Sequence, residues 1–356
     1  MGQTLKIATY DASLERRGPG LLLRDILSGD DAQINSVADI ITHVAPDILL
    51  LTGFDYDNGN HALHAFADLL AARGTSYPHL FALRPNTGME TGLDMNRDGR
   101  TGTAADAQGY GEFAGQGGMA ILSRYPIDTD RVQDFSALRW VDFPGALLPH
   151  RNGQPFPSPE ALSLQRLSTT GHWVVPVRLP GSVLNLMAFA ATPPVFDGPE
   201  DKNGKRNHGE IAFWNRYLNG QLAPAPLPGP FVILGKANLD PHDSEGRNAV
   251  LRDLLAHPKL QDPRPASQGA RHASRLQGGA NLSHQGDPAL DTADWRDDPG
   301  PGNLRVDYVL PSADLMVTAA GVFWPGPDQA ESALLGQGEA LASHHHMVWV
   351  QLRLQR

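Results

Sequence analysis

Polar residues gather just past the ends of several short apolar runs. Phe231-Val232-Ile233-Leu234 leads into "GKANLDP", with Lys236, Asn238 and Asp240, and the run from Leu5 leads to Asp11 in "ATYDASL". Asp307 lies in "RVDYVLPS", and "SHHHM" supplies His344, His345 and His346. Carboxylates, an ammonium and imidazoles are the groups that acid–base or phosphoryl chemistry requires. The carboxyl ends of strands are also where α/β proteins collect their ligands. Adjacent strand residues face opposite ways, so His344 and His345 are not expected to share one ion. One belongs in a cleft; the other packs or meets solvent.

Two other stretches carry possible binding chemistry. "DMNRDGRTG", 94–102, has the alternating Asp94, Asn96, Asp98 pattern of a calcium loop, with Gly99 for the sharp bend. Arg100 would offer its backbone. The twelfth position of a full EF-hand is Ala105, so Asp106 is expected to complete a structural Ca²⁺ site. The bland alternative is an acidic turn that binds nothing. In "DGPEDKNGKRNHGE", Arg206 and Asn207 could hold a phosphate or carboxylate through the planar guanidinium fork, with His172 nearby. A charged loop that only organises itself is the competing reading. Trp173, Phe196 and Trp214 read as packing residues.

Composition narrows the classes. The 356 residues contain no cysteine, which excludes disulfides, thiolate catalysis and cysteine-held zinc. A net charge of −10 makes nucleic acid an unlikely partner, because phosphate backbones need a basic face. No apolar run approaches the roughly 20 residues of a membrane span. The chain enters a strand almost at once, which reads as cytoplasmic, or as periplasmic or secreted if a leader was removed.

The elements that must position these groups are short. Strands are expected at Leu5–Tyr10, Ile48–Leu51, within 117–127, in a hairpin around Pro180-Gly181, and at "FVILG", "LRVDYVLPS" and "HHMVWVQLRL". Helices are expected around Ile34–Val44 and His61–Arg73, and over "GEIAFWNRYLNG", closed by Gly220. Residues 84–118 and 262–303 read as long loop insertions or mobile covers. The whole, 1–356, reads as one α+β domain on packed sheets.

In their order, these strand ends resemble the endonuclease/exonuclease/phosphatase superfamily, the four-layer α/β sandwich of deoxyribonuclease I. "TPPVFDGPEDKNGKRNHGEIAFW", "GNLRVDYVLPS" and "GVFWP" are most similar to a bacterial branch of it, and the resemblance spans Leu5 to Leu352. It implies a set of site positions: an Asn, a metal-binding Glu, a His, an Asp-x-Asn, the Asp of "RVDY" and a terminal Asp-His. Hard oxygens would hold Mg²⁺, which polarises the phosphoryl oxygen, while a His oriented by an Asp assists attack.

This chain departs from that set. Asp11 stands for the Asn, Gly53 for the metal-binding Glu and Ala190 for the His. Lys236 stands for the first Asp of Asp-x-Asn, and His344 for the terminal Asp. Val174 and Gly209 replace two flanking acids. Asn238, Asp307 and His345 remain. Residues that act as a unit fail as a unit, so the expectation is a catalytically degenerate member without catalytic Mg²⁺. Lys236 would supply the metal's charge between Asp11 and Asp307, and the remnant cleft would bind a ligand or protein partner. The alternative is a metal-dependent hydrolase of a small phosphoester using Asp11, Asn238, Asp307 and His345. A third reading, with Lys236 as nucleophile or base, ranks last because the neighbouring carboxylates would keep it charged.

Overall fold

A computed structural model describes residues 4–338 and 341–354. Six strands form one sheet in the order β12 (Met316–Val322), β13 (Val348–Arg353), β1 (Thr4–Leu14), β2 (Ile48–Phe54), β4 (Gly118–Ser123) and β3 (His79–Phe81). Five form the second: β11 (Asp307–Pro311), β10 (Phe231–Lys236), β9 (Ser182–Ala190), β8 (His172–Leu179) and β5 (Gln133–Asp134). A separate small hairpin joins β6 (His150–Arg151) to β7 (Gln154–Pro155).

Strand alternation explains the layers. Ile48 and Leu50 of β2 point into one cluster with Val175, Leu186, Val232 and Leu234 from the other sheet. Leu49 and Leu51 point the opposite way, onto α2 (Ala32–Val44) and α3 (His61–Ala72). On the far side, Met187, Phe189 and Ile233 pack beneath α5 (Lys202–Leu218) and α6 (Ala249–Leu255). Both faces of each sheet are therefore covered, giving a helix–sheet–sheet–helix sandwich of the deoxyribonuclease I type. Each fully buried Leu or Ile contributes roughly 1.5–3 kcal/mol. No described helix is long and apolar enough to cross a membrane.

Several elements differ from the sequence reading, and β12 and α6 were not expected at all. β1 runs on to Leu14, because a bulge after Asp11 lets Leu14 pair with Phe54. α5 starts at Lys202 instead of 209; its first turns bury Gly204, Arg206 and Asn207, which hide the apolar period. The 262–303 segment is not a plain loop. It contains α7 (Gln268–Gln277), whose N-cap Ser267 accepts from Ala270 N at 3.1 Å. Only Gly269, Ala270 and Ser274 of that helix are buried, so its sequence carries little apolar signal.

The fold brings the chemistry to one edge. β1 and β2 are parallel, as are β9 and β10, and both pairs end on the same side. Asp11 pairs with Thr52 there, and Lys236 lies in register between Ala190 and Asp307.

Candidate functional site

The two sheets meet at this edge through an ion pair. The Lys236 ammonium contacts Asp11 Oδ2, joining the end of β10 to the end of β1. Asp11 is 3% exposed and Lys236 19%. Burial works against the Asp11 anion, but Lys236 and then His345 hold its carboxyl below the usual range. Burial likewise opposes the ammonium, yet Asp11, Glu15 and Asp307 raise Lys236 above its ordinary value. Lys236 is a fixed cation. A lysine poised to act as a nucleophile would need the opposite shift.

A second pair stands beside the first. His345 Nδ1 lies 2.8 Å from Asp307 Oδ2, and Thr292 Oγ1 donates to the same oxygen at 2.9 Å. Thr292 Oγ1 also accepts from the backbone of Val306 and Asp307, each at 3.0 Å, which fixes the carboxylate. Burial opposes the imidazolium, but Asp307 and Asp11 raise His345 above the ordinary imidazole value. The Trp295 and His345 rings lie nearly perpendicular, with centroids 5.5 Å apart. Serines connect the two pairs: Ser13 donates to Asp11 Oδ1 from N at 3.0 Å, Ser13 Oγ meets Ser343 Oγ at 3.1 Å, and Ser343 Oγ accepts from His345 N at 3.0 Å. Asn238 adopts a left-handed φ of 51° and donates its amide to Ala191 O at 2.8 Å.

Do these residues suit the divalent metal that such a sandwich implies? At Gly53 they do not. φ there is 62°, and a Cβ would sit 2.6 Å from Asp11 Oδ1 and 3.2 Å from Ser13 N. The Asp11 carboxylate fills the space a longer residue would need, and the ammonium fills its charge requirement. Ala190 offers no ligand atom and is buried. His344 is exposed, with Nδ1 3.0 Å from Asp294 O. Among the described residues, no three His, Cys, Asp or Glu side chains form a group able to hold an ion. Gly53→Glu should therefore destabilise the protein by roughly 2–3 kcal/mol through backbone strain and displaced Asp11. Urea unfolding of the variant at neutral pH checks this; an unchanged midpoint would mean the site readily accepts the side chain.

Several expected binding residues have other work. Arg206 is buried and donates to the backbone carbonyls of Leu167, Gln108, Arg166 and Ser168 at 2.7–3.0 Å, leaving no fork for an anion. Asn207 donates to Thr192 O and Ala237 O at 2.7 and 2.8 Å, tying the ends of β9 and β10 together. His172 is in the core between Ser168 Oγ and Glu210 O, at 2.7 and 2.8 Å, and burial pushes it down to about 4.

The acidic side chains of the 94–102 turn bond its own backbone. The Asp94 carboxylate caps the N–H groups of Arg97, Asp98 and Gly99, and Asp98 Oδ1 accepts from Arg100 N. Asp106 completes a capping box with Thr103 and accepts from Met95 N, which sets it against the same turn. Phe196 is no packing residue: it is 88% exposed, at φ 66°, in the loop after β9.

Thr292, Ser13, Ser343 and Glu15 were not singled out from the sequence. Polar residues at 11 and 13 alternate at the end of β1 and 15 follows just past it, a period-two signal that could have flagged two of them. Thr292 lies in the segment taken for a cover, and nothing in its sequence context announces its role.

This is the edge of a sandwich that the family comparison recognises. The model of the Endonuclease/Exonuclease/phosphatase family matches residues 24–332, most of the chain, and the chain belongs to that family. Among solved structures it is similar to an endonuclease/exonuclease/phosphatase from Beutenbergia cavernae DSM 12333, at 18% identity and a TM-score of 0.54. That match covers 99% of this chain and 72% of the other. A family protein from Leptotrichia buccalis C-1013-b matches at 13% identity and a TM-score of 0.50, covering 99% of this chain and 100% of the other. Likeness at these identities speaks to the fold alone. Among curated proteins, none matches.

Proposed function

We propose that this chain is a family member whose cleft no longer supports metal-dependent phosphoester hydrolysis and instead binds a ligand or protein partner. The observation that carries this reading is the Lys236–Asp11 ion pair beside Gly53, where a Cβ would press on the Asp11 carboxylate. An ammonium there repels a divalent ion and already neutralises the carboxylate that would attract one. The cleft keeps groups able to recognise a polar ligand. Asp307 Oδ1 is buried without a donor, and such an atom gains most from a ligand's N–H or O–H. The net charge of −10 favours a small molecule or protein over a polynucleotide.

The intact Asp307–His345 pair favours a second reading, a hydrolase of a small phosphoester. In it His345, oriented by Asp307 and Thr292, would manage the proton of an attacking water, with Asp11 and Asn238 positioning the substrate. Purified protein is expected to release no product above buffer from bis-p-nitrophenyl phosphate, DNA or RNA with Mg²⁺ or Mn²⁺. Turnover that requires the ion and disappears in Asp307→Ala would replace the first reading with the second.

A further inference from the structure

A different cleft, of about 560 Å³, opens between the loop after β10 and the 262–303 segment. Asp240, Asp287 and Asp291 are among its lining residues, and Asp243 is near enough to act on Asp291. Three of the four are already engaged. Asp240 accepts from the N–H groups of His242, Asp243 and Arg305 at 2.7–3.0 Å. Asp243 accepts from Gln285 N and Gly286 N at 2.7 and 2.8 Å. Asp287 accepts from Ala289 N and Arg271, both at 3.1 Å. Asp291 is the exception. It is 7% exposed and lines the cleft, and its carboxylate makes no hydrogen bond or ion pair to any described residue.

A largely buried carboxylate that no protein group donates to, with three like charges nearby, gains from a cation that enters through the cleft. Burial, with Asp240, Asp243 and Asp287 alongside, pushes its carboxyl up to about 8. We propose that this cleft binds a small primary amine as its ammonium ion, anchored on Asp291.

Two features select that chemistry. The described residues offer no group of three His, Cys, Asp or Glu able to hold a bare metal ion, so the fitting cation brings its own N–H donors. Pro241, Leu255 and Leu290 also line the cleft and suit a short aliphatic stem. The Arg305 guanidinium on the same wall is held by both oxygens of Asp262, at 2.7 and 2.6 Å, so it does not answer Asp291. The site is independent of the reading of the Lys236 cleft. It adjoins that cleft all the same, because the next residue, Thr292, clamps Asp307.

The test is thermal unfolding at about pH 9, where Asp291 is ionised, with butylammonium, tetramethylammonium or potassium chloride at equal ionic strength. Butylammonium at tens of millimolar is expected to raise the midpoint by roughly 2 °C or more. Tetramethylammonium carries the charge without N–H donors and should do no more than potassium. Asp291→Asn should fold with a midpoint at least as high as the parent's, since like-charge repulsion is relieved, and should lose the butylammonium response. No response in the parent protein, an equal response to tetramethylammonium, or a response retained in Asp291→Asn would each overturn the site.

Discussion

Lys236→Met is expected to destabilise the protein by about 3–5 kcal/mol at pH 8, the cost of leaving a buried carboxylate without its partner. Asp11 has its folded value lowered, so its contribution is present above the unfolded value and is lost as pH falls through the folded one. Lys236 has its value raised, so its contribution is present below the unfolded value and is lost as pH rises past the folded one. The pair therefore stabilises from about pH 4 to about pH 10. In the variant, Asp11 escapes its unpaired charge by protonating, so the deficit should narrow steadily toward acid. Removing both charges, in Asp11→Asn with Lys236→Met, should recover much of the loss. Urea unfolding at pH 8 and pH 5 reads all three quantities. A loss under 1 kcal/mol at pH 8 would show that the ammonium is not neutralising Asp11.

Much of this architecture was legible because strands buried on both faces read as unbroken apolar runs. Ile48–Leu51 and Phe231–Leu234 gave their own positions, and residues just past such runs had to fall at a sheet edge. That Asp11 and Lys236 end two strands could be read; that the strands belong to facing sheets came only with the family resemblance. The space beside Gly53 could not be read at all, since it is set by a carboxylate 42 positions earlier. Arg206 misled for a related reason. A guanidinium in a charged stretch looks like an anion site until its carbonyl partners, about 40 to 100 residues away, are seen around it. Thr292 was invisible because its meaning depends on the turn that lays it beside Asp307.

Arg206 carries the other large expectation. Arg206→Leu removes a buried cation that holds the carbonyls of residues 166–168 and of Gln108, and it strips Glu210, one helical turn on, of its opposing charge. A loss of roughly 3–5 kcal/mol at pH 8 follows from orphaned carbonyls together with an uncompensated carboxylate. Burial already pushes Glu210 up to about 7, with Arg206 pulling the other way. A carboxyl raised on folding costs stability as pH climbs from its unfolded to its folded value. Without Arg206 that range extends upward, so the deficit should grow between pH 6 and pH 8, opposite in sense to the acid recovery expected of Lys236→Met. Arg206→Lys keeps the charge but has no rigid fork to reach carbonyls from two segments, and should restore only part of the loss. If Arg206 instead served an incoming anion, Arg206→Leu would leave urea unfolding nearly unchanged, and a midpoint within experimental error of the parent's at both pH values would establish that.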